Sequence, residues 1–221
     1  MCSGRVDPVM VMEAFIAGAD GVLVGACRRG ECHYSTGNLH AEAKLGLTRK
    51  IMTIAGLAAD RLVMRWMSSA EGNKFAEYVE TFQAEISLLG PLGEAEGLEA
   101  GDLQLKLRAA AGALAGRKLR WVLGKVVEFK EKGNLYGERF TDHEVGRLYD
   151  EIAMDEYRLR EIIERVRARP QSVKHLSAVM GVAPRILLRH MADLKRMGLA
   201  SVARVEGTSP IWAAESDAEY K

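Results

Sequence analysis

Residues 21–34 have the sequence GVLVGACRRGECHY, in which an apolar run leads directly into two of the three cysteines of the chain. A short apolar run bounded by glycine is typical of a buried strand, so we predict a strand over residues 21–27. The third cysteine, Cys2, lies just before a helix start marked by Asp7 and Pro8. Because ligand sites in open α/β sheets lie at the carboxyl ends of the strands, we expect the three sulfurs to converge there.

Helix and strand patterns alternate along residues 1–91. This alternation, with connections of this length, indicates an α/β domain that has a small parallel sheet and flanking helices. Besides the first strand, the pattern predicts a helix over residues 8–18, a helix over residues 38–55 and a second strand over residues 61–66.

A third helix is predicted at the end of this domain. Ser68 and Glu71 form a candidate capping box before it, and Gly90 and Pro91 end it. Its apolar residues fall on one stripe, which predicts a helix that faces the core: Phe75, Val79, Phe82, Ile86 and Leu89.

We divide the remaining chain into a linker and helical segment over residues 92–140 and a second domain over residues 141–221. The linker is rich in glycine and glutamate, and the pattern from Asp102 to about Lys132 predicts a single helix. Thr141 and Glu144 form a second capping box, which opens a helix that runs to about Arg169.

The order of elements after Pro170 is typical of a winged helix domain. It comprises a short helix capped by Ser172, a turn at Gly181, a helix that starts at Pro184, and two β-like runs over residues 199–205 and 210–213. The predicted fold class is therefore α/β, with a small parallel sheet and flanking helices, followed by an all-helical linker and a winged helix-turn-helix domain.

Composition excludes several function classes for this chain of 221 residues. A formal net charge of +1 provides no general attraction to nucleic acids or membranes, and no apolar run approaches the roughly 20 residues that span a bilayer. An odd number of cysteines does not suit a secreted disulfide framework. We therefore expect a cytoplasmic protein whose thiols are reduced or bound to metal.

The cysteines are the residues most suggestive of chemistry, since we find no phosphate-binding loop and no Ser/His/Asp pattern. The spacing of Cys27 and Cys32 alone leaves two interpretations open. They are either small buried apolar side chains or ligands of a metal or iron–sulfur cluster. Gly4, Gly30 and Gly37 are expected to allow tight turns and a close approach of the backbone to sulfur.

Three separated motifs favour the second interpretation. They are CSGRVDP at residues 2–8, GADGVLV at residues 18–24, and CHY at residues 32–34 followed by Gly37 and Asn38. Together with EGNKFAE at residues 71–77 and LGP at residues 89–91, they resemble the delta subunit of methyl-viologen-reducing hydrogenase. That family consists of small iron–sulfur proteins that work beside heterodisulfide reductase in anaerobes.

The resemblance implies a 2Fe–2S cluster whose ligands include Cys2, Cys27 and Cys32. It also implies electron transfer between a hydrogenase or other dehydrogenase and a heterodisulfide-reductase-like A subunit, which is a flavoprotein, with no catalytic site in this chain itself. The family has a further cysteine-rich segment before the first motif, so we expect the remaining ligand to lie outside residues 1–221.

Arg28 and Arg29 replace a His-Pro pair of the family. By default the two arginines form a solvated pair. Beside a cluster, their positive charges would raise its reduction potential.

The winged helix offers an alternative function. Basic residues outnumber acidic ones between Arg169 and Ala213, and Arg185, Arg189 and Arg196 share one face of the second helix. The alternative is a redox- or metal-sensing regulator that binds DNA through this helix. We favour a docking role toward protein and do not expect nucleic acid as the partner, because Asp193 interrupts the basic stripe.

Overall fold

The first part of the chain is an α/β unit built on two parallel strands. The computed structural model describes residues 2–134 and 136–215, so Met1 and residues 216–221 of the predicted domains lie outside the described part. The elements are α1 (Pro8–Ile16), β1 (Val22–Ala26), α2 (Gly37–Ala55), β2 (Leu62–Trp66) and α3 (Gly72–Leu89). β1 and β2 pair in parallel, from Val22 opposite Leu62 to Ala26 opposite Trp66. The predicted parallel sheet and its flanking helices are therefore confirmed.

Local signals determine where these helices begin and end. The Asp7 carboxylate accepts a backbone N–H at 2.9 Å and Pro8 opens α1, as predicted. α2 ends at Gly56, whose φ of 81° is one that glycine adopts easily. Only one of the two hydrogen bonds of the predicted capping box before α3 forms. Glu71 accepts the N–H of Ser68 at 2.7 Å, but no described side chain accepts an N–H group from the first turn of the helix.

The apolar stripe of α3 does not face the core as predicted. No described residue of α3 is buried, and Phe75 is 51% exposed. The helix touches the sheet where Phe82 and Ile86 cover Gly21, and a Cβ on Gly21 would lie 2.7 Å from Phe82 Cζ. Two short strands offer too little surface to bury the whole stripe of an 18-residue helix.

Two helices occupy the region where the sequence predicted one. α4 (Ala100–Ala115) and α5 (Arg117–Glu131) meet at Gly116, so the single helix predicted from Asp102 to Lys132 is wrong. Gly116 has an extended backbone, with ψ at 144°, and a Cβ there would lie 2.9 Å from the Ala113 carbonyl oxygen. The close turn requires glycine and ends one helix where the next begins.

The long helix α6 (Asp142–Ala168) leads into the last unit. Both hydrogen bonds of the capping box between Thr141 and Glu144 form, as predicted. The elements that follow are β3 (Gln171–Ser172), α7 (Val173–Met180), α8 (Pro184–Arg196), β4 (Ala200–Glu206) and β5 (Ser209–Ala214). The three strands form an antiparallel sheet in the order β3-β5-β4. β3 was not predicted, because two residues are too few to show a periodic pattern.

The helix α6 belongs to two hydrophobic cores. One core extends from Val11 to Tyr157 and contains buried residues of α1, α2, α4, α5 and the first half of α6. The other extends from Leu159 to Trp212 and contains the second half of α6, α7, α8 and two of the strands. The division at residues 91 and 140 stays a prediction. Along the described part of the chain, no helix combines the length and apolar character needed to cross a membrane.

A fully buried arginine joins the α/β unit to the segment that follows it. Arg61, just before β2, donates Nε–H to Glu96 Oε1 at 2.7 Å. Its Nη1 donates to the carbonyl oxygens of Asp20 at 3.0 Å and Gly90 at 2.8 Å, and Nη2 donates to that of Pro91 at 3.2 Å. One side chain therefore connects the entrance to β1, the end of α3 and the predicted linker.

Removing the carboxylate of this buried pair should destabilise the protein strongly. Glu96→Ala leaves the guanidinium of Arg61 without its counter-charge, and we expect the free energy of unfolding to fall by about 3–5 kcal/mol in urea titrations. Burial raises the pKa of Glu96, but the hydrogen bonds from Arg61 and from backbone N–H groups outweigh it and hold the pKa below its ordinary value. The stabilisation that the ionised Glu96 provides is therefore present at neutral pH, and it is lost as the pH falls through that lowered pKa.

The matched control is Asp60→Ala, which removes the carboxylate of the Arg49–Asp60 pair. The Asp60 side chain is 82% exposed, so its loss should cost less than about 1 kcal/mol. Equal losses for the two variants would contradict the structural role assigned to the Arg61 network.

Candidate functional site

The three cysteines lie on two loops around the start of α2. Cys27 follows β1 directly, Cys32 lies in the loop between β1 and α2, and Cys2 precedes a 3₁₀ turn over Ser3–Arg5. All three are free thiols and partly buried. The expected position at the carboxyl end of a strand therefore holds for Cys27, whereas Cys2 is brought in from the N-terminal side of α1.

Cys2 and Cys32 are brought together above Gly37, the first residue of α2. A Cβ on Gly37 would overlap Cys2 Sγ and would lie 3.3 Å from Cys32 Sγ. Gly4 packs against the same place, since a Cβ there would lie 2.6 Å from the Gly37 carbonyl oxygen. The Gly4 N–H also donates to Cys2 Sγ at 3.4 Å. Gly4 and Gly37 therefore allow the backbone to approach sulfur, as expected.

The start of α2 favours a thiolate at Cys32. Burial raises the pKa of the Cys32 thiol, but hydrogen bonds from the backbone N–H groups of Tyr34, Asn38 and Gly37 and from the Cys2 side chain outweigh it. The pKa of Cys32 consequently lies below its ordinary value. Since the thiolate is the form that binds metals, this arrangement prepares Cys32 to act as a ligand.

Cys27 is held through its backbone. The buried side chain of Asn38 donates from Nδ2 to the carbonyl oxygens of Cys27 at 3.0 Å and Arg28 at 2.8 Å. The sequence analysis did not predict this role of Asn38. The available indication was that Asn38 belongs, with Gly37, to the third motif that resembles the family. Among the described residues there is no group of three Cys, His, Asp or Glu side chains that could hold a metal ion. The structure thus joins two of the predicted ligands and anchors the third nearby.

The two arginines of the loop are paired with carboxylates. Arg28 forms an ion pair with Glu71, and Arg29 forms one with Glu42. The Arg29 guanidinium also lies 5.7 Å from the ring centroid of Trp66, at the end of β2. Because their charges are compensated, any effect of these arginines on a neighbouring cluster is weaker than for a free pair.

An open groove of about 1260 Å³ runs past Cys2. Its walls are the Ser3–Arg5 turn, the first turns of α2 and one face of α5. Lys44 of α2 donates from Nζ to the Gly4 carbonyl oxygen at 2.6 Å and so fixes the turn that carries Cys2.

The fold and this site define a class: a small α/β domain in which thiols from separate loops meet at a helix N-terminus. Residues 1–90 match the family described as methyl-viologen-reducing hydrogenase, delta subunit. The vhu iron-sulfur D subunit of the F420-non-reducing hydrogenase of Methanopyrus kandleri is 35% identical over 91 residues, which are 41% of this chain and 69% of that protein. The chain therefore belongs to the delta-subunit family of methyl-viologen-reducing hydrogenase, and the resemblance seen in the motifs is confirmed.

Two other relatives show where the matching segment occurs. The iron-sulfur D subunit of the F420-non-reducing hydrogenase of Archaeoglobus profundus is 47% identical over 90 residues, which are 41% of this chain and 66% of that protein. The A subunit of the ferredoxin/F420H2-dependent CoB-CoM heterodisulfide reductase of Methanosarcina acetivorans is 43% identical over 93 residues, 42% of this chain and 12% of that protein. The chain thus spans about two thirds of the hydrogenase protein and a small part of the reductase protein.

A methyl group at Gly37 should disturb the site, whereas one elsewhere in α2 should not. Gly37→Ala places a Cβ onto Cys2 Sγ, and overpacking of this kind costs about 1–3 kcal/mol. We expect a lower midpoint of urea unfolding and faster alkylation of Cys2, followed by mass spectrometry.

Gly46→Ala is the matched control in the same helix, since a Cβ there meets nothing within 4 Å. It should raise the stability by about 0.5–1 kcal/mol through the better helix propensity of alanine. If Gly37→Ala were as stable as Gly46→Ala, the close approach of Cys2 to Gly37 would be disproved.

Proposed function

We propose that the protein is an iron–sulfur electron-transfer subunit. It relays electrons between a hydrogenase or other dehydrogenase and a heterodisulfide-reductase-like A subunit, within a cytoplasmic redox complex of an anaerobe. The observation that carries this proposal is the meeting of Cys2 and Cys32 above Gly37, inside the segment that matches the delta-subunit family. The matching hydrogenase subunits are themselves named iron–sulfur subunits.

The thiols fit part of a cluster site. Cys2 and Cys32 provide two neighbouring sulfurs with N–H donors aimed at them, which is the environment that tunes iron–sulfur centres. We assign Cys27 as the third ligand, since Asn38 holds its backbone beside the same helix start. The described residues do not complete a set of four ligands, and we propose that the remaining one comes from outside these residues.

When bound, a 2Fe–2S cluster supplies reversible one-electron chemistry. The residues of this chain would hold and position it: Gly37 allows the sulfurs to approach, Asn38 fixes the loop, and Lys44 fixes the turn of Cys2. No acid–base group is needed for such a relay, and we propose that the subunit has a non-catalytic electron-transfer role in an oxidoreductase complex.

The choice of partner is supported by where related segments occur. A related segment of 93 residues forms 12% of a heterodisulfide reductase A subunit. In that protein the related segment is part of the A subunit, whereas here it is part of a separate chain. When a domain occurs in both arrangements, the separate form is expected to bind the subunit to which the other form is fused. Residues 1–91 are thus proposed as the redox domain that contacts such a subunit.

The end of the chain is proposed as a winged helix over residues 141–221, joined by the helical segment 92–140. The helix pair α7 and α8 and the antiparallel strands β4 and β5 support this proposal. Arg189 pairs with Asp155 and Arg196 with Asp193, so two cations of the proposed recognition helix are neutralised. This pairing favours docking to protein, and the family match does not favour the DNA-binding regulator.

Anaerobic purification of the protein in its native complex, in which the remaining ligand is present, tests the relay. We expect about two iron and two sulfide per chain, visible absorption bands and an electron paramagnetic resonance signal after reduction. Cys32→Ser removes a thiolate ligand and should abolish the visible absorption, while Ser35→Ala in the same loop should leave it unchanged. An iron-free wild-type protein, or a Cys32→Ser spectrum equal to the wild type, would contradict the assignment.

A further inference from the structure

We propose that the groove beside Cys2 is the docking site for an acidic electron-transfer protein, whose carboxylate-rich surface enters it. This inference rests on the proposed electron-transfer function and specifies the chemistry of the partner. The groove is bounded by the Ser3–Arg5 turn, the first turns of α2 and α5, and Cys2 forms part of its wall. Electron transfer slows steeply with distance, so a partner must come close to a ligand sulfur.

The charges of the wall select an acidic partner. Arg5, Lys44 and Arg120 line the groove, and no carboxylate is among the described lining residues. Arg120 is bound by Asp7, at 2.6 Å and 3.0 Å, whereas neither Arg5 nor Lys44 forms an ion pair with a described carboxylate. An ammonium group has three donors, and the contact to Gly4 uses one of those of Lys44.

These cations contrast with those of the cysteine loop. Arg28 and Arg29 are both paired with glutamates, so the uncompensated positive charge lies on the groove side of the site. Burial lowers the pKa of Lys44, and the positive charges of Arg120 and Arg5 lower it further, while Asp7 and Cys2 act in the opposite direction. A carboxylate of a partner would complete its environment.

The rim and the size of the groove indicate a protein rather than a small ligand. Met10 is 59% exposed and Tyr34 is 63% exposed, and both line the groove. Methionine and tyrosine are enriched in protein interfaces. The volume of about 1260 Å³ exceeds the roughly 300–1,000 Å³ of ordinary small-molecule sites.

One wall comes from outside the segment that matches the family. Arg120, Leu123 and Gly124 of α5 line the groove, and the match ends at residue 90. The Arg120–Asp7 pair holds α5 against the start of α1. A Cβ on Gly124 would meet nothing within 4 Å, so a side chain there would fill open space in the groove. The shape of the docking site is therefore a property of this chain.

Binding of a purified flavodoxin, an acidic electron-transfer protein, tests the proposal with the full chain. We expect binding that weakens with salt, and a carbodiimide amide cross-link between Lys44 Nζ and a flavodoxin carboxylate. Arg5→Glu reverses an exposed charge of the wall and Gly124→Leu fills the groove. Each should weaken binding by about tenfold or more.

Two controls make the same chemical changes elsewhere. Arg139→Glu reverses an exposed charge in the loop before α6, and Gly101→Leu adds the same side chain at an exposed position of α4 where a Cβ meets nothing within 4 Å. Both should bind flavodoxin as the wild type does. Absence of binding, cross-links confined to Lys174 or Lys195, or equal losses in the controls would overturn the docking site.

The iron content separates this inference from the proposed function. A protein that carries its cluster but does not bind flavodoxin through the groove refutes the docking site and leaves the relay. A protein that binds flavodoxin there but carries no iron after anaerobic purification refutes the relay and leaves the docking surface.

Discussion

The buried guanidinium of Arg61 is the interaction on which the α/β unit depends most. A two-stranded sheet has little area for packing, and such pairs are marginal without further support. Arg61 compensates for this small packing area by binding Glu96 and two carbonyl oxygens, that of Asp20 before β1 and that of Gly90 after α3. The buried charge is tolerated because all five N–H donors of the guanidinium find acceptors. These bonds hold the predicted linker against the α/β unit, and α4 and α5 pack into the same hydrophobic core as α1 and α2.

This packing positions the cysteine site. The core holds α2 firmly through buried residues along its length, and its N-terminus presents Gly37 and Asn38 to the loops that carry the cysteines. N–H groups at a helix start stabilise a thiolate, and the absence of a side chain at Gly37 lets two sulfurs meet. The site is therefore built from one rigid helix end and two loops that it organises.

The helix α6 couples the two cores of the molecule. Its first half packs with α4 and α5, the second of which forms one wall of the groove beside Cys2, and its second half packs with α7, α8 and β5. Arg165, in the last turn of α6, binds Glu161 of the same helix and Asp102 of α4, and so ties the end of α6 to α4.

The sequence by itself determined the local features and the family. Asp7, Gly181 and the Thr141–Glu144 box mark helix ends through hydrogen bonds to near neighbours, and the apolar run before Cys27 is a strand. Such signals are readable because they depend on residues a few positions apart. Only the tertiary structure decided that α3 exposes its stripe, that Gly116 breaks a helix, and that Cys2 meets Cys32 above Gly37. These outcomes depend on how distant elements pack, which follows from the free energy of the whole core and not from any local pattern.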